Sequence, residues 1–162
     1  MLIENKKTIS FILVFILTLA ADGATKHWAL SNLLAAGQKV NFLSLGLHFN
    51  RGISFSLLAR HPWGGWLAAA VSVGFLGTLC AGSETIRSSS GMPLLWAGAL
   101  GNLIDRVLYG YVVDWIYVGI FVNLADLWLC LGLVLFAKHF FTADIFSPKP
   151  LHLDSRRDDT VK

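Results

Sequence analysis

At 162 residues, 55% of them hydrophobic and 14% charged, the chain has the length of one domain and the composition of an integral membrane protein rather than a soluble globule. Its formal net charge of +3 comes from basic residues scattered along the sequence, which excludes the basic stripe that a nucleic-acid-binding face needs. The two cysteines lie in apolar runs and the five histidines show no ligand spacing, so no disulfide, metal site or cofactor is expected.

The first element follows a short polar head carrying Lys6 and Lys7. An apolar run from Thr8 continues in helical pattern through Asp22, Lys26 and Trp28 to Leu30, long enough to cross ~30 Å of hydrocarbon. The competing reading is a cleaved signal peptide, with a basic start, an apolar middle and small residues at Ala20, Ala21, Gly23 and Ala24. Residues 37–61 then alternate polar and apolar side chains around Gly46 and Gly52 and predict a small sheet outside or on the membrane. A second span is expected over 63–82 and, after a polar loop, a third over 93–109 opened by Pro93. The fourth is expected over 120–141, and the polar residues 145–162 read as a solvated tail.

The expectation is thus an all-α membrane protein of four transmembrane helices with a small sheet-like segment between the first and second spans, all within a single domain of residues 1–144. Four spans put both ends on one side. Eight Lys and Arg residues fall with the termini and the 83–92 loop, against five on the other side, so the positive-inside rule places both termini in the cytoplasm. The sheet, Asp114 and Asp126 then face outward.

The stretch from Gly101 to Asp126, GNLIDRVLYGYVVDWIYVGIFVNLAD, sets three acids, two asparagines and an arginine among apolar runs. A charge at bilayer depth costs ~2.5–3.5 kcal/mol or more, so ionisable residues there suggest function. Asp114 and Asp126 are twelve residues apart with Gly119 between them, close enough for the chain to double back and bring them together. Two carboxylates at ~3 Å share a proton; the charged one can act as base on a water while the protonated one polarises a carbonyl. The alternative is that each caps a helix or pairs with an arginine. Asp105 and Arg106 read as parts of a buried hydrogen-bond network, and Asn102 and Asn123 as amides that hold the carboxylates. Asp22 and Lys26 have the i, i+4 order that favours a helical ion pair. Asn50-Arg51-Gly52 reads either as a turn or as a segment binding substrate backbone.

AGALGNLIDRVLYGYVVDWI followed by NLAD resembles the signature of the lipoprotein signal peptidase (signal peptidase II) family. Asp22, Thr25 and Lys26 resemble its D-x-x-T-K segment, and Asn50, Gly52 and Phe55 its N-x-G-x-A-F segment, with Ser54 in place of alanine. The likeness covers about residues 8–140. It implies a four-span bacterial inner-membrane aspartyl peptidase, active near the periplasmic face as a monomer among membrane lipids, without metal or cofactor. Its substrate would be a prolipoprotein cut just before a cysteine that carries diacylglycerol. By position, Asp114 and Asp126 are implied to be catalytic, with Asp22, Lys26, Asn50, Gly52, Asn102, Asp105, Arg106 and Asn123 in support or near substrate. Departures stand at Val122 for phenylalanine, at Leu127 for a small residue, and in a short 115–125 connection. They keep two other readings open, a non-enzymatic four-span protein and a paralogue that binds precursors without cutting them.

Overall fold

The computed structural model describes residues 2–33, 44–52, 63–81 and 89–146. Four helices run through them: α1 (Leu2–Leu33), α2 (Gly64–Ala81), α3 (Met92–Tyr109) and α4 (Leu124–Phe146). Three short strands, β1 (Ser44–Asn50), β2 (Val112–Tyr117) and β3 (Phe121–Val122), form an antiparallel sheet in the order β1-β2-β3.

Helix α3 is the hub, packing against α1, α2 and α4. Pro93 suits its first turn, where the backbone N–H groups have no partner inside the helix. Its end is set by Gly110, left-handed at φ 77°, whose N–H donates to the carbonyl of Arg106 at 3.0 Å. The approach of α3 to α4 is very close, and glycine makes it possible. A Cβ on Gly91 would overlap the carbonyl oxygen of Gly132, and one on Gly98 would lie 2.5 Å from that of Ala125. Leu76, Met92, Leu95 and Ala99 form the apolar core beside this contact, with Phe11, Trp96, Leu129 and Phe136 packed on it.

A second cluster fastens the sheet to the end of α1. Ala29, Leu47 and Val113 are buried there under Leu30, Leu33, Tyr111 and Trp115, and the Trp28 and Trp115 rings meet edge to face at 5.8 Å.

The sheet departs from expectation in its origin. Only β1 comes from the 37–61 segment, of which 37–43 and 53–61 lie outside the described residues. The other two strands come from 112–122, where the expectation is a short connection and the first residues of the fourth span. VVDWIY is rich in β-branched and aromatic side chains, and a short apolar run of that kind suits a strand as well as a helix. Gly119, at φ 90°, turns the β2–β3 hairpin. Consequently α4 begins at Leu124 rather than at 120 and continues to Phe146. The other helices agree with the expected segments at their cores, α1 being longer at both ends. The part of the tail beyond 146 lies outside the described residues.

Among the described residues one helical stretch, Lys6–Leu33, is long and apolar enough to cross a membrane, with 28 residues and a mean hydropathy of 1.8; Gly64–Thr78 is a shorter apolar stretch. Among the described residues, α1 is therefore the one of the four expected spans that length and composition bear out.

If the α3–α4 approach depends on absent side chains, Gly91→Ala lowers the midpoint of thermal unfolding by an amount equivalent to about 1–3 kcal/mol. Gly74→Ala, with no atom within 4 Å of the added Cβ, leaves it in place. Differential scanning of the purified protein in detergent compares the two.

Candidate functional site

Asp126 owes its position to the start of α4. Asn123 precedes the helix and caps it. The Asn123 Oδ1 accepts the Asp126 N–H at 3.0 Å, and the Asp126 Oδ2 accepts the Asn123 N–H at 3.2 Å. This is a reciprocal capping box, with the acid in the turn where backbone N–H groups and the helix dipole favour negative charge. The other Asp126 oxygen, Oδ1, accepts the Asn102 Nδ2 at 2.9 Å.

Asp114 comes from β2, where it lies opposite His48 of β1. It is 1% exposed. Its Oδ1 accepts the Asn123 Nδ2 at 2.6 Å and its Oδ2 the Asn50 Nδ2 at 3.1 Å. One side chain, Asn123, therefore caps the helix that carries Asp126 and holds the carboxylate of Asp114. Burial, with the charge of Asp126 as a second cause, pushes the Asp114 pKa up from 3.8 to about 7.

Beneath the two acids lies a buried cation. The Lys26 Nζ meets Asp22 Oδ2 at 2.8 Å, Asp105 Oδ2 at 3.0 Å and Asn102 Oδ1 at 3.1 Å. Each of those groups has a second task. The Asp22 Oδ1 accepts the Ala125 N–H at 2.9 Å and so binds α1 to the first turn of α4. The Asp105 Oδ2 accepts the Val113 N–H at 3.0 Å and binds α3 to β2. The Asn102 Oδ1 also accepts the Asn123 Nδ2 at 3.3 Å. Breaking a buried pair of this kind leaves bare charge and costs about 3–5 kcal/mol.

Arg106 points away from its neighbour Asp105, as adjacent residues on a helix do. Its Nη1 donates to the Asn102 carbonyl at 3.1 Å and its Nη2 to the Gly52 carbonyl at 2.9 Å. The Gly52 N–H in turn donates to the Asn50 Oδ1 at 3.0 Å, closing a side-chain turn that aims the Asn50 amide at Asp114.

The structure thus gathers all ten residues singled out in the sequence: Asp22, Lys26, Asn50, Gly52, Asn102, Asp105, Arg106, Asp114, Asn123 and Asp126. The 50–52 segment is a turn, and through Asn50 it touches Asp114. Asp105 and Arg106 both enter buried hydrogen bonds, Asp105 with Lys26 and the Val113 N–H and Arg106 with the Asn102 and Gly52 carbonyls. Thr25 stays out, its hydroxyl donating back to the carbonyls of Ala21 and Asp22. Sequence reasoning missed the Ala125 amide and two glycines that make room. A Cβ on Gly101 would lie 2.6 Å from Asp22 Oδ2, and one on Gly65 would lie 3.2 Å from Arg106 Nε. Their signal was only a small residue beside a motif. Among the described residues no group of three or more His, Cys, Asp or Glu side chains is placed to hold a metal ion.

Comparison with known proteins adds a family pattern. Residues 14–142 match the family described as Signal peptidase (SPase) II. The lipoprotein signal peptidase of Dichelobacter nodosus is 38% identical over 142 residues, covering 80% of this chain and 92% of the relative. That of Bartonella quintana is 35% identical over 144 residues, covering 80% and 86%. Among solved structures, a bacterial membrane enzyme determined by the in meso method is similar with a TM-score of 0.64 at 23% identity, over 94% of both chains. A second bacterial membrane enzyme determined the same way has a TM-score of 0.61 at 26% identity, over 81% of this chain and 92% of that one.

The raised Asp114 pKa has a sign that can be measured. The folded protein holds this proton more tightly than the unfolded chain does. Asp114 therefore makes stability fall as pH rises from the ordinary carboxylate range to about 7, with no further loss from this group above that. Unfolding temperatures of the wild type and Asp114→Asn across pH 4–8 should show a shallower slope in the variant.

Proposed function

The chain belongs to the signal peptidase II family, and from that membership we propose that it is an aspartyl endopeptidase acting within the membrane on diacylglyceryl-modified prolipoproteins. Cleavage falls just before the lipidated cysteine and releases the signal peptide. The observation that carries the aspartyl mechanism is the side chain of Asn123, which holds Asp114 while capping the helix turn that bears Asp126.

In this mechanism the two acids have different tasks because their surroundings differ. Asp114, buried and pushed up to about 7, carries the shared proton. Asp126, half-buried at a helix start and receiving donors from Asn102 and the Asn123 backbone, is the base. Asp126 takes a proton from a water as its oxygen attacks the scissile carbonyl, and Asp114 gives its proton to the carbonyl oxygen. The tetrahedral species then collapses. The C–N bond breaks, the amine of the lipidated cysteine takes the proton from Asp126, and the re-forming carbonyl returns a proton to Asp114.

Exposed apolar faces support the membrane setting. Ile9, Leu13, Ile16 and Leu17 on α1, Val71 and Phe75 on α2, and Leu131, Leu133, Val134 and Phe141 on α4 are all exposed in the isolated chain. The reading completes as four spans in the bacterial inner membrane, both termini cytoplasmic, with the acids near the periplasmic face and the protein a monomer. Residues 1–144 form the peptidase domain and 145–162 a cytoplasmic tail. Asp22, Lys26, Asn50, Gly52, Asn102, Asp105, Arg106 and Asn123 support the acids or border the substrate.

In a purified assay with a lipidated precursor, Asp114→Asn and Asp126→Asn should each lower the cleavage rate by about 10³-fold or more. Full cleavage by either variant would sink the mechanism, and a wild type that binds the precursor without cutting it would sink the enzymatic reading. Wild-type kcat/KM should decline on the alkaline side through about pH 7 as Asp114 gives up its proton. A profile flat to pH 9 would assign the acid elsewhere.

A further inference from the structure

A side-chain amide can be turned over at little steric cost, and which way it faces decides what it offers. Asn102 lies between a cation and a carboxylate. Its oxygen faces the Lys26 Nζ at 3.1 Å and the Asn123 Nδ2 at 3.3 Å, and its nitrogen faces the Asp126 Oδ1 at 2.9 Å. An ammonium can only donate and an ionised carboxylate can only accept. Turned over, Asn102 would set its N–H groups against the ammonium and its oxygen against the carboxylate, losing both charge-assisted bonds.

Lys26 is fully committed in this arrangement. Its three N–H donors match three acceptors on two helices: Asp22 on α1, and Asp105 and Asn102 on α3. It is 3% exposed, so no water competes for them. The remaining charged groups around Asn102 are Asp126 on α4, Asp114 on β2 and Arg106 on α3. Arg106 bonds the Asn102 backbone carbonyl and leaves the amide free to be set by Lys26.

We infer that Lys26 is a positioning residue: through the Asn102 amide it fixes the donor that holds Asp126 as a charged base, although it touches neither aspartate of the pair. This rests on the aspartyl reading above. Asp22 and Asp105 then have a second use beyond joining elements, since together they hold the ammonium in place. The direction of the chain is set at one end. From Lys26 the donors run to Asn102 and then to Asp126, and Asn123, held by its cap to α4, joins the same row.

The test removes the cation together with one of its two acids, so the net charge of the cluster is unchanged and Asp22 keeps the Ala125 N–H as a donor. Lys26→Met/Asp105→Asn, made in the full chain and purified in detergent, should lower kcat by about 10–100-fold, the usual size for groups that orient a reacting one. KM for a lipidated precursor should stay within about threefold of wild type, as expected when the lost interaction acts on the reacting groups rather than on substrate binding. Asn102→Ser should show the same split. Combining the changes should give a rate no lower than Asn102→Ser alone, because both act through one amide. A purely structural Lys26 would lower the unfolding temperature and leave kcat per folded molecule unchanged. That result, or losses that multiply in the combined variant, overturns the inference. Should the Met variant not fold, Lys26→Gln/Asp105→Asn allows the same comparisons. Asp126→Asn separates the two readings. If it cleaves at full rate, the aspartyl mechanism fails; if it is inactive while the Lys26 variants keep wild-type kcat, only the role given to Lys26 fails.

Discussion

Two acids set among apolar helices must have their oxygens met by donors, or burial makes them a cost that packing cannot offset. Here the donors are mostly amides. Asn50, Asn102 and Asn123 each present N–H groups to a carboxylate and a carbonyl oxygen to something else, so they pass hydrogen bonds along without adding charge. The Lys26 ammonium is kept one layer further away, held between Asp22 and Asp105. With arginine or lysine directly on Asp114, the attraction would favour its ionised form and oppose the rise to about 7. Asparagine holds the group in place with a weaker pull.

The same layer of polar groups joins elements far apart in sequence. Asp22 ties α1 to α4, Asp105 ties α3 to β2, and Arg106 ties α3 to the turn after β1. Glycine makes these reaches possible by letting backbones and charged side chains come close, at Gly91 for the helices and at Gly101 for Asp22. A methyl group added at either glycine would press on these contacts and force its neighbours to shift.

Much of the site was legible because ionisable and amide residues stand out in an apolar chain. Asp114, Asp126, Asn102, Asn123 and the Asp22–Lys26 spacing could all be picked out, and the family likeness arranged them. The partners were less legible. Asp105 and Arg106 read as parts of a buried network, but adjacent side chains on a helix diverge, so the sequence did not tell which groups each would meet. They are Lys26 and the Val113 N–H for Asp105, and the Asn102 and Gly52 carbonyls for Arg106. The hairpin over 112–122 was hidden because short apolar runs carry no period that separates strand from helix. The cap at Asn123, which stops α4 from extending backward, shares its signature with the acid motif itself. Backbone partners such as the Ala125 amide leave no mark in a sequence at all.

The Asp22–Lys26 pair also bears on how such a chain could be made. Both residues belong to α1, at i and i+4, so they form their contact as soon as that helix does, before any later segment exists. A helix that neutralises its own charges enters an apolar phase more cheaply than one carrying a lone ammonium or a lone carboxylate. When α3 arrives, the Lys26 ammonium keeps its first partner and takes two more in Asp105 and Asn102. The ion pair is thus local to one helix while the rest of the polar centre needs a second, which makes it the part of the network that the chain can form first.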